Sequence, residues 1–426
     1  VLLTPTEEAL IAEIRARIGV LPSKLGIAVS GGSDSIALMH LFAALARKNG
    51  ADLAIATVDH GLRTDSLIEA RGVAQQAADL GLSHDILTWR HPAQSGNLQA
   101  EARAARYRLL GEWATARGIE AVAVGHTADD QAETFLMRLR RASGVAGLSG
   151  MASRHHRDGI EILRPLLGIR RSDLRSYLTA REINWVDDPS NLDMKFERVR
   201  VRDALKALEP LGLTVDALTA VADNMRMADD ALEAAMRAAA ATLGQVRLGM
   251  VVLDHTGFTT LDDELARRML LSAIAYVNGA EYPPRRAPVL DALQALKDGR
   301  GVTLQGCQIV IRGSQIWIGR EYAAARQACV SYLPSASKRI SWDAAWAISA
   351  PKDWTQQVEI RALGEDGLVL IDDWRQYEAP RELLKSLPSV WQDANLIAVP
   401  PLEERSDWGA AAIRRPETWA RPALSH

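Results

Sequence analysis

Ser30-Gly31-Gly32-Ser33-Asp34-Ser35 is the stretch of this sequence whose residue types could do chemistry together. Two adjacent glycines reach backbone angles closed to residues with a Cβ, so successive N–H groups can turn toward one anion. Three serine hydroxyls add donors, and a helix starting here adds the positive end of its dipole. Such a cradle fits a pyrophosphate, and the charge of Asp34 is compatible with one when a magnesium ion lies between them. The Gly-Lys-Ser/Thr ending of loops that hold a transferred γ-phosphate is absent. A plain glycine turn before a helix is the alternative, and six agreeing positions after a buried-type strand outweigh it.

Other chemistry-bearing residues gather where strands are expected to end. Asp59 and His60 close the apolar run 53–58, and ligands of open parallel sheets lie beyond the carboxyl ends of the strands, so both are placed to border one. Residues 125–134, GHTADDQAET, follow the run 121–124. Here Thr127 can cap a helix with Asp130 three residues on, a weak capping box, and one carboxylate is expected to cap while another faces substrate or metal. Arg103 and Arg106 stand one helical turn apart, so both guanidinium groups can reach one phosphate or carboxylate, although Glu101 and Glu112 nearby also fit a solvated face.

These residues need elements to hold them. The run 25–29 is apolar and bounded by turns, as in a strand covered on both faces, and it reopens as an amphipathic helix after the glycines. Further strands are expected at 53–58, 84–89, 121–124 and 161–164, with helices at 69–80, 97–117 (Asn97 as cap) and 171–181. The pattern is α/β, a doubly wound parallel sheet. Beyond Pro210 come a long 3.6-residue periodicity over 215–243, helices at 261–277 and 288–297, and a small antiparallel sheet at 302–304, 308–312 and 315–318. After Tyr332 the chain is Trp-rich and broken by prolines, which reads as short strands with tryptophans in the core. The expected domains are 1–208 (catalytic), 209–326 (helical/α+β) and 333–426 (small, β-containing).

With 426 residues, 48% of them hydrophobic and 24% charged, the chain is an ordinary globular protein of more than one domain. A net charge of −3 gives no global field for nucleic acid, so RNA contact must rest on a local patch. Residues 138–206 carry fifteen Lys/Arg against nine Asp/Glu, including Arg138, Arg140 and Arg141 before a Gly/Ser loop at 143–150, then Arg154 and Arg157. Phosphate backbones are the functional partner such a cluster fits, and a solvated face is the plainer one. Two cysteines without metal-site spacing, no long apolar run and an amphipathic 1–20 point to a cytoplasmic protein with no membrane partner.

The loop resembles the PP-loop, whose SGGxDS signature marks enzymes that split ATP between its α and β phosphates. The order SGGSDS at Ser30, VDHGLR at Val58, NLQAEARAARYRLL at Asn97, GHTADDQAET at Gly125, LRPLL at Leu163 and DDPSN at Asp187 is similar to the tRNA(Ile)-lysidine synthetases. The match spans residues 25 to about 208, with weaker likeness to two accessory tRNA-binding domains near 261–320 and 363–401. The resemblance implies adenylation of the C2 oxygen of the wobble cytidine in an isoleucine tRNA with a CAU anticodon, and displacement of AMP by free L-lysine. It implies ATP at Ser30, Gly31, Gly32, Ser33, Asp34 and Ser35, bordered by Asp59 and His60, with Mg2+ at Asp34. It places Asp34, Arg106, Asp130, Arg198 and Arg202 in the chemistry, while the charge cluster itself is what offers Arg138, Arg140, Arg141, Arg154 and Arg157 to tRNA phosphates. The family's Arg-Asn-x-x-Arg pattern has Val199 in place of Asn, so either Arg198 or Arg202 is the adenylate contact.

Rival readings share the loop. A tRNA thiolase needs a catalytic cysteine pair or an iron–sulfur set, and residues 1–300 contain no Cys. An amide-forming synthetase would use the same ATP chemistry on a carboxylate, and the downstream motifs speak against it. A nucleotide-gated RNA-binding protein without activity would tolerate a degraded loop, and this loop is intact.

Overall fold

The computed structural model describes residues 6–61, 66–89, 98–157, 159–187, 193–280, 282–333, 339–403 and 407–420. The chain divides into two compact units, Val1–Asp229 and Asp230–His426. The first runs α1 (Glu7–Ile18), β1 (Lys24–Ala28), α2 (Ser33–Asn49), β2 (Asp52–Asp59), α3 (Ser66–Asp79), β3 (Ser83–Thr88), α4 (Leu98–Arg117), β4 (Ala121–Val124), α5 (Ala128–Leu139), a turn α6 (Val145–Leu148), β5 (Arg154–Arg157), β6 (Ile160–Leu163), α7 (Arg171–Ala180) and α8 (Glu197–Leu208). The expected Asn97 cap and the Asp188 to Asn191 part of the DDPSN turn lie outside the described residues.

The six strands order β3-β2-β1-β4-β6-β5, all parallel except β5 against β6. The direction of winding reverses between β1 and β4, which makes the ends of those two strands the switch point where such sheets bind ligands. Alternation along each strand divides the core. Ile27, Ile55, Ala121 and Ala123 face a cluster built with Ile14, Ile36, Phe42 and Leu174, while Ala28, Ala56, Val122 and Val124 face Tyr107, Leu110 and Trp113 of α4. Fully burying a side chain such as Phe42 contributes roughly 1.5–3 kcal/mol, so the two layers hold the sheet rigid beneath the site. The sheet is doubly wound as expected, with one addition. The basic segment Arg154–Arg157 is itself an edge strand, paired to β6 with His155 opposite Ile162, and its polar residues suit an exposed edge.

Helix α9 (Val215–Leu243) matches the long periodic stretch and runs across the division between the units. In the second unit β7 (Gly244–Arg247) and β8 (Met250–Asp254) join β9 (Val302–Leu304), β10 (Cys307–Arg312) and β11 (Gln315–Arg320) in a sheet ordered β7-β8-β11-β10-β9. The sequence reading found only the last three strands. Helices Asp263–Asn278 and Arg286–Lys297 supply apolar faces to its core. A four-stranded and a three-stranded sheet follow between Val330 and Ala412, with Trp342, Trp391 and Trp408 buried, as expected of core tryptophans.

Candidate active site

Between β1 and α2 the chain makes its sharp turn with Gly31 at φ +90°, a region that disfavours any Cβ. Serines brace the loop from within. The Ser30 amide donates to Ser35 Oγ at 3.1 Å, and Ser35 Oγ donates to the Gly32 carbonyl at 3.0 Å. In the first turn of α2 the Ser35 and Ile36 amides donate to the Gly32 carbonyl at 3.1 and 3.0 Å, which leaves the Ser33 and Asp34 amides as the helix-end donors for an anion. From the neighbouring strand, Gly125 packs against this turn so closely that an added Cβ would stand 3.1 Å from the Ser35 nitrogen. The Val186 amide donates to the Gly31 carbonyl at 3.0 Å, so the segment leading into the DDPSN motif docks on the loop.

Helix α5 starts with the expected capping box. Thr127 accepts from the Asp130 amide, and Asp130 Oδ2 accepts the Thr127 amide at 2.9 Å. The division of labour differs from the expectation of one carboxylate capping and another facing the site. Asp130 does both, because its capping oxygen also meets Arg171, while Asp129 accepts the backbone amide of Arg171 at 2.7 Å.

These elements enclose a cavity of about 770 Å3, within the range of small-molecule sites. Of the residues proposed from sequence, it brings together Ser30, Gly32, Ser33, Asp34, Ser35, Arg106, Asp130, Arg198 and Arg202. Gly31 shapes the turn behind it. Asp59 and His60 stand at the end of β2 outside the lining; Asp59 accepts the Gly61 amide at 2.9 Å and the Ser66 hydroxyl at 2.7 Å, which holds the turn into α3. His60 packs edge-on to Trp89, and burial, with the nearby charge of Arg106, keeps its imidazole below the usual range.

Asp34 is largely covered. Its side chain is only 18% exposed, because Arg171 covers it with an Nε to Oδ2 contact of 2.8 Å. Burial raises the Asp34 pKa even against that partner. Arg171 also reaches Asp130 Oδ2 at 3.3 Å and Glu133 Oε1 at 3.9 Å, and Arg202 Nε donates to Glu133 Oε1 at 2.5 Å. Asp130 is buried, which works against ionisation, yet Arg171 and His126 outweigh this and hold its pKa down. Glu133 is raised, by burial first and by Asp130 second. His126, in the lining, has Nδ1 buried with no hydrogen-bond partner among the described residues, and burial drives its pKa down to about 3. Arg106 has no carboxylate partner among the described residues, and burial lowers its pKa.

Arg171, Glu133, His126 and Arg175 were not singled out from sequence. Glu133 lies one helical turn beyond Asp130 in the quoted GHTADDQAET segment, so spacing alone could have flagged it. Arg171 carries no such signal: it is 137 residues from Asp34 and reads as the start of a helix. Arg175 donates to Asp187 at 2.6 Å and ties the first residue of the DDPSN motif to α7.

The five arginines expected to grip tRNA phosphates are not alike. Arg138 points inward, where its Nη1 donates to the carbonyls of Gly147 and Gly150 at 2.7 and 2.9 Å, and it clamps the 143–150 loop rather than presenting a free cation. Arg140 and Arg141 are exposed and share Glu197. Arg154 pairs with Glu161 at 2.9 Å across the β5–β6 edge, and Arg157 stacks 4.6 Å from the Tyr107 ring centroid.

Among the described residues no group of three His, Cys, Asp or Glu could hold a metal by itself. Magnesium bound with phosphates asks for one or two carboxylates, and Asp34 beside the loop, with Asp130 across Arg171, is a donor set of that kind. No described helix is long and apolar enough to cross a membrane.

Comparison with known proteins agrees with this geometry. A family model described as the PP-loop domain matches residues 6–208. The tRNA(Ile)-lysidine synthase of Ruegeria pomeroyi is 44% identical over 426 residues, covering 100% of both chains. That of Wolbachia pipientis wMel is 35% identical over 89% of this chain and 88% of the relative, and that of the Wolbachia of Brugia malayi 33% over 92% and 91%. The chain therefore belongs to the tRNA(Ile)-lysidine synthase family, ATP-using ligases built on a PP-loop domain.

Proposed function

We propose that this chain joins free L-lysine to C2 of the wobble cytidine of an isoleucine tRNA with a CAU anticodon, consuming ATP and releasing AMP and pyrophosphate. The observation that supports it most is one cavity in which an anion-cradling loop, Ser30 to Ser35, faces the carboxylate of Asp130, with the buried Glu133 held next to the lining by Arg171 and Arg202. A triphosphate and an amine need opposite electrostatics within a few ångströms, and this cavity offers both.

In the first step the cytidine C2 oxygen bonds to the α-phosphorus, and the bond from that phosphorus to the pyrophosphate oxygen breaks. Loop amides receive the charge that builds on the pyrophosphate, and the Ser35 hydroxyl, bonded to the Gly32 carbonyl, holds the loop in shape. Asp34 would hold Mg2+, which would supply charge neutralisation at the phosphates when bound. Arg198 is the better candidate for the adenylate than Arg202, which is held to Glu133. In the second step the lysine ammonium first gives up a proton; its nitrogen then bonds to C2, the C2–O bond to AMP breaks, and a second proton leaves that nitrogen. Asp130 holds the ammonium, and Glu133, with its raised pKa, is suited to take a proton.

We assign residues 1–208 to catalysis, 209–326 and 333–426 to tRNA, and the protein to the cytoplasm. The test is mass spectrometry of nucleosides from an isoleucine tRNA transcript incubated with the protein, ATP and lysine. A cytidine carrying lysine is expected; unmodified cytidine with intact ATP turnover would overturn the reading.

A further inference from the structure

Arg171 opens α7 with its backbone amide fixed by Asp129, and its guanidinium stands among three carboxylates, Asp34 and Asp130 in the cavity lining and the buried Glu133 beside them. Nε is 2.8 Å from Asp34, Nη2 3.3 Å from Asp130 and Nη1 3.9 Å from Glu133. Glu133 has Arg202 as a second partner, whereas Asp34 and Asp130 meet in Arg171. Three acids this close repel one another unless a cation lies between them, and half-buried surroundings strengthen the repulsion.

The reaction brings cations to these same oxygens: a metal with the nucleotide at Asp34 and an ammonium at Asp130 and Glu133. Arg171 already holds one oxygen of Asp34 and one of Asp130, and lies 3.9 Å from one of Glu133, so each arriving cation meets its charge there. We propose that Arg171 is a resident counter-ion, a positioning residue that keeps Asp34, Asp130 and Glu133 together in the protein alone and yields them to cationic ligands, so coupling the nucleotide half of the cavity to the amine half. A ligand that draws the guanidinium to one side changes what is available on the other, and by linkage the coupling is reciprocal. The released guanidinium stays beside the PP-loop, where phosphate charge accumulates. This inference rests on the proposed reading of the Asp130 and Glu133 end as the amine site; the Asp34 end rests on ATP use alone.

The experiment is calorimetric titration of L-lysine into the full chain, with and without Mg2+ and α,β-methylene-ATP, for the parent, Arg171→Gln and Arg171→Lys. Circular dichroism checks the fold of each. Arg171→Gln is expected to bind lysine alone roughly ten- to a hundredfold more tightly, the equivalent of one charge-assisted hydrogen bond no longer displaced. Its lysine affinity should then be the same with and without nucleotide, whereas the parent's changes. Arg171→Lys, which restores charge without the three-pronged reach, should fall between, and it carries the test if the Gln variant does not fold. Weaker lysine binding in both variants, or a nucleotide effect undiminished in Arg171→Gln, overturns the proposal. If the parent binds nucleotide but no lysine, the amine reading fails on its own account. The counter-ion role is then decided by the Mg2+ concentration that half-saturates analogue binding, which must fall in Arg171→Gln and overturns the role if it does not.

Discussion

Arg202 donates Nε–H to one carboxylate oxygen of Glu133 at 2.5 Å, while the other oxygen, Oε2, is buried with no hydrogen-bond partner among the described residues. The Glu133 side chain is 1% exposed. A half-satisfied carboxylate at that depth is costly, and its persistence beside the cavity-lining Asp130, Arg171 and Arg202 marks a place where a ligand donor completes the set. An alkyl ammonium has the donors to do so.

Glu133→Gln is therefore expected to raise the lysine concentration for half-maximal rate by roughly 10- to 100-fold, the scale of one hydrogen bond to a charged group. Adenylation of tRNA in the absence of lysine should be unchanged. Pyrophosphate release and lysidine formation, measured separately, distinguish the two steps. Equal loss in both would move Glu133 to the nucleotide side.

Asp34→Ala should lower tRNA-dependent pyrophosphate release by about 100-fold or more, since it removes the carboxylate nearest the loop and with it several kcal/mol of charge stabilisation. It also strips Arg171 of its shortest contact, so the variant should lose about 1–3 kcal/mol of stability, read from urea unfolding. Release near the parent rate would remove the loop from the chemistry.

What the sequence shows of this site is what chain proximity records. Ser30 to Ser35, Asp59 and Asp130 each follow an apolar run, so strand ends and their loops were legible without coordinates. Arg171 was not, because its three partners lie in α2 and α5, elements it meets only through packing. Arg138 sat in a charge run and read as a phosphate contact, but the carbonyls of Gly147 and Gly150 turn toward it, and carbonyl direction has no sequence signature. The missed strands β7 and β8 join at Leu248 and Gly249, both with positive φ. Gly249 is a hairpin signal, but Leu at such an angle is unusual, which hid the turn.

Acid should destabilise the first unit through His126. Burial and its surroundings lower the imidazole pKa from 6.5 to about 3, so the folded state binds its proton less readily than the unfolded chain. The stability this gives is whole above pH 6.5 and is lost as pH falls toward 3. Asp130, also held down, acts in the same direction at lower pH, whereas the raised Asp34 and Glu133 act oppositely. His126→Gln should flatten the fall in urea-unfolding stability between about pH 6.5 and 4.5. Superimposable profiles would show that His126 titrates alike in both states.

Arg140 and Arg141 are the arginines best placed to exchange partners for RNA. Their side chains are 66% and 60% exposed, and both share the single carboxylate of Glu197. Exposed pairs of this sort contribute about 0–1 kcal/mol, so a phosphate can replace Glu197 at little cost. Arg138, three residues from Arg141, differs in kind. Burial lowers its pKa to about 10, and its two carbonyl contacts make it part of the loop. Arg138→Ala should destabilise the protein by about 1–3 kcal/mol through the unsatisfied carbonyls, at any salt concentration. The double change Arg140→Ala, Arg141→Ala should leave stability nearly unaltered and reduce the slope of log tRNA affinity against log salt by roughly 0.7 to 0.9 per lost phosphate contact. ATP affinity should not move, since neither side chain lines the cavity. Filter binding of the tRNA from low to moderate salt measures the slope. If the slope is unchanged, these two arginines are a solvated face, and the phosphate-binding surface belongs to residues beyond Pro210.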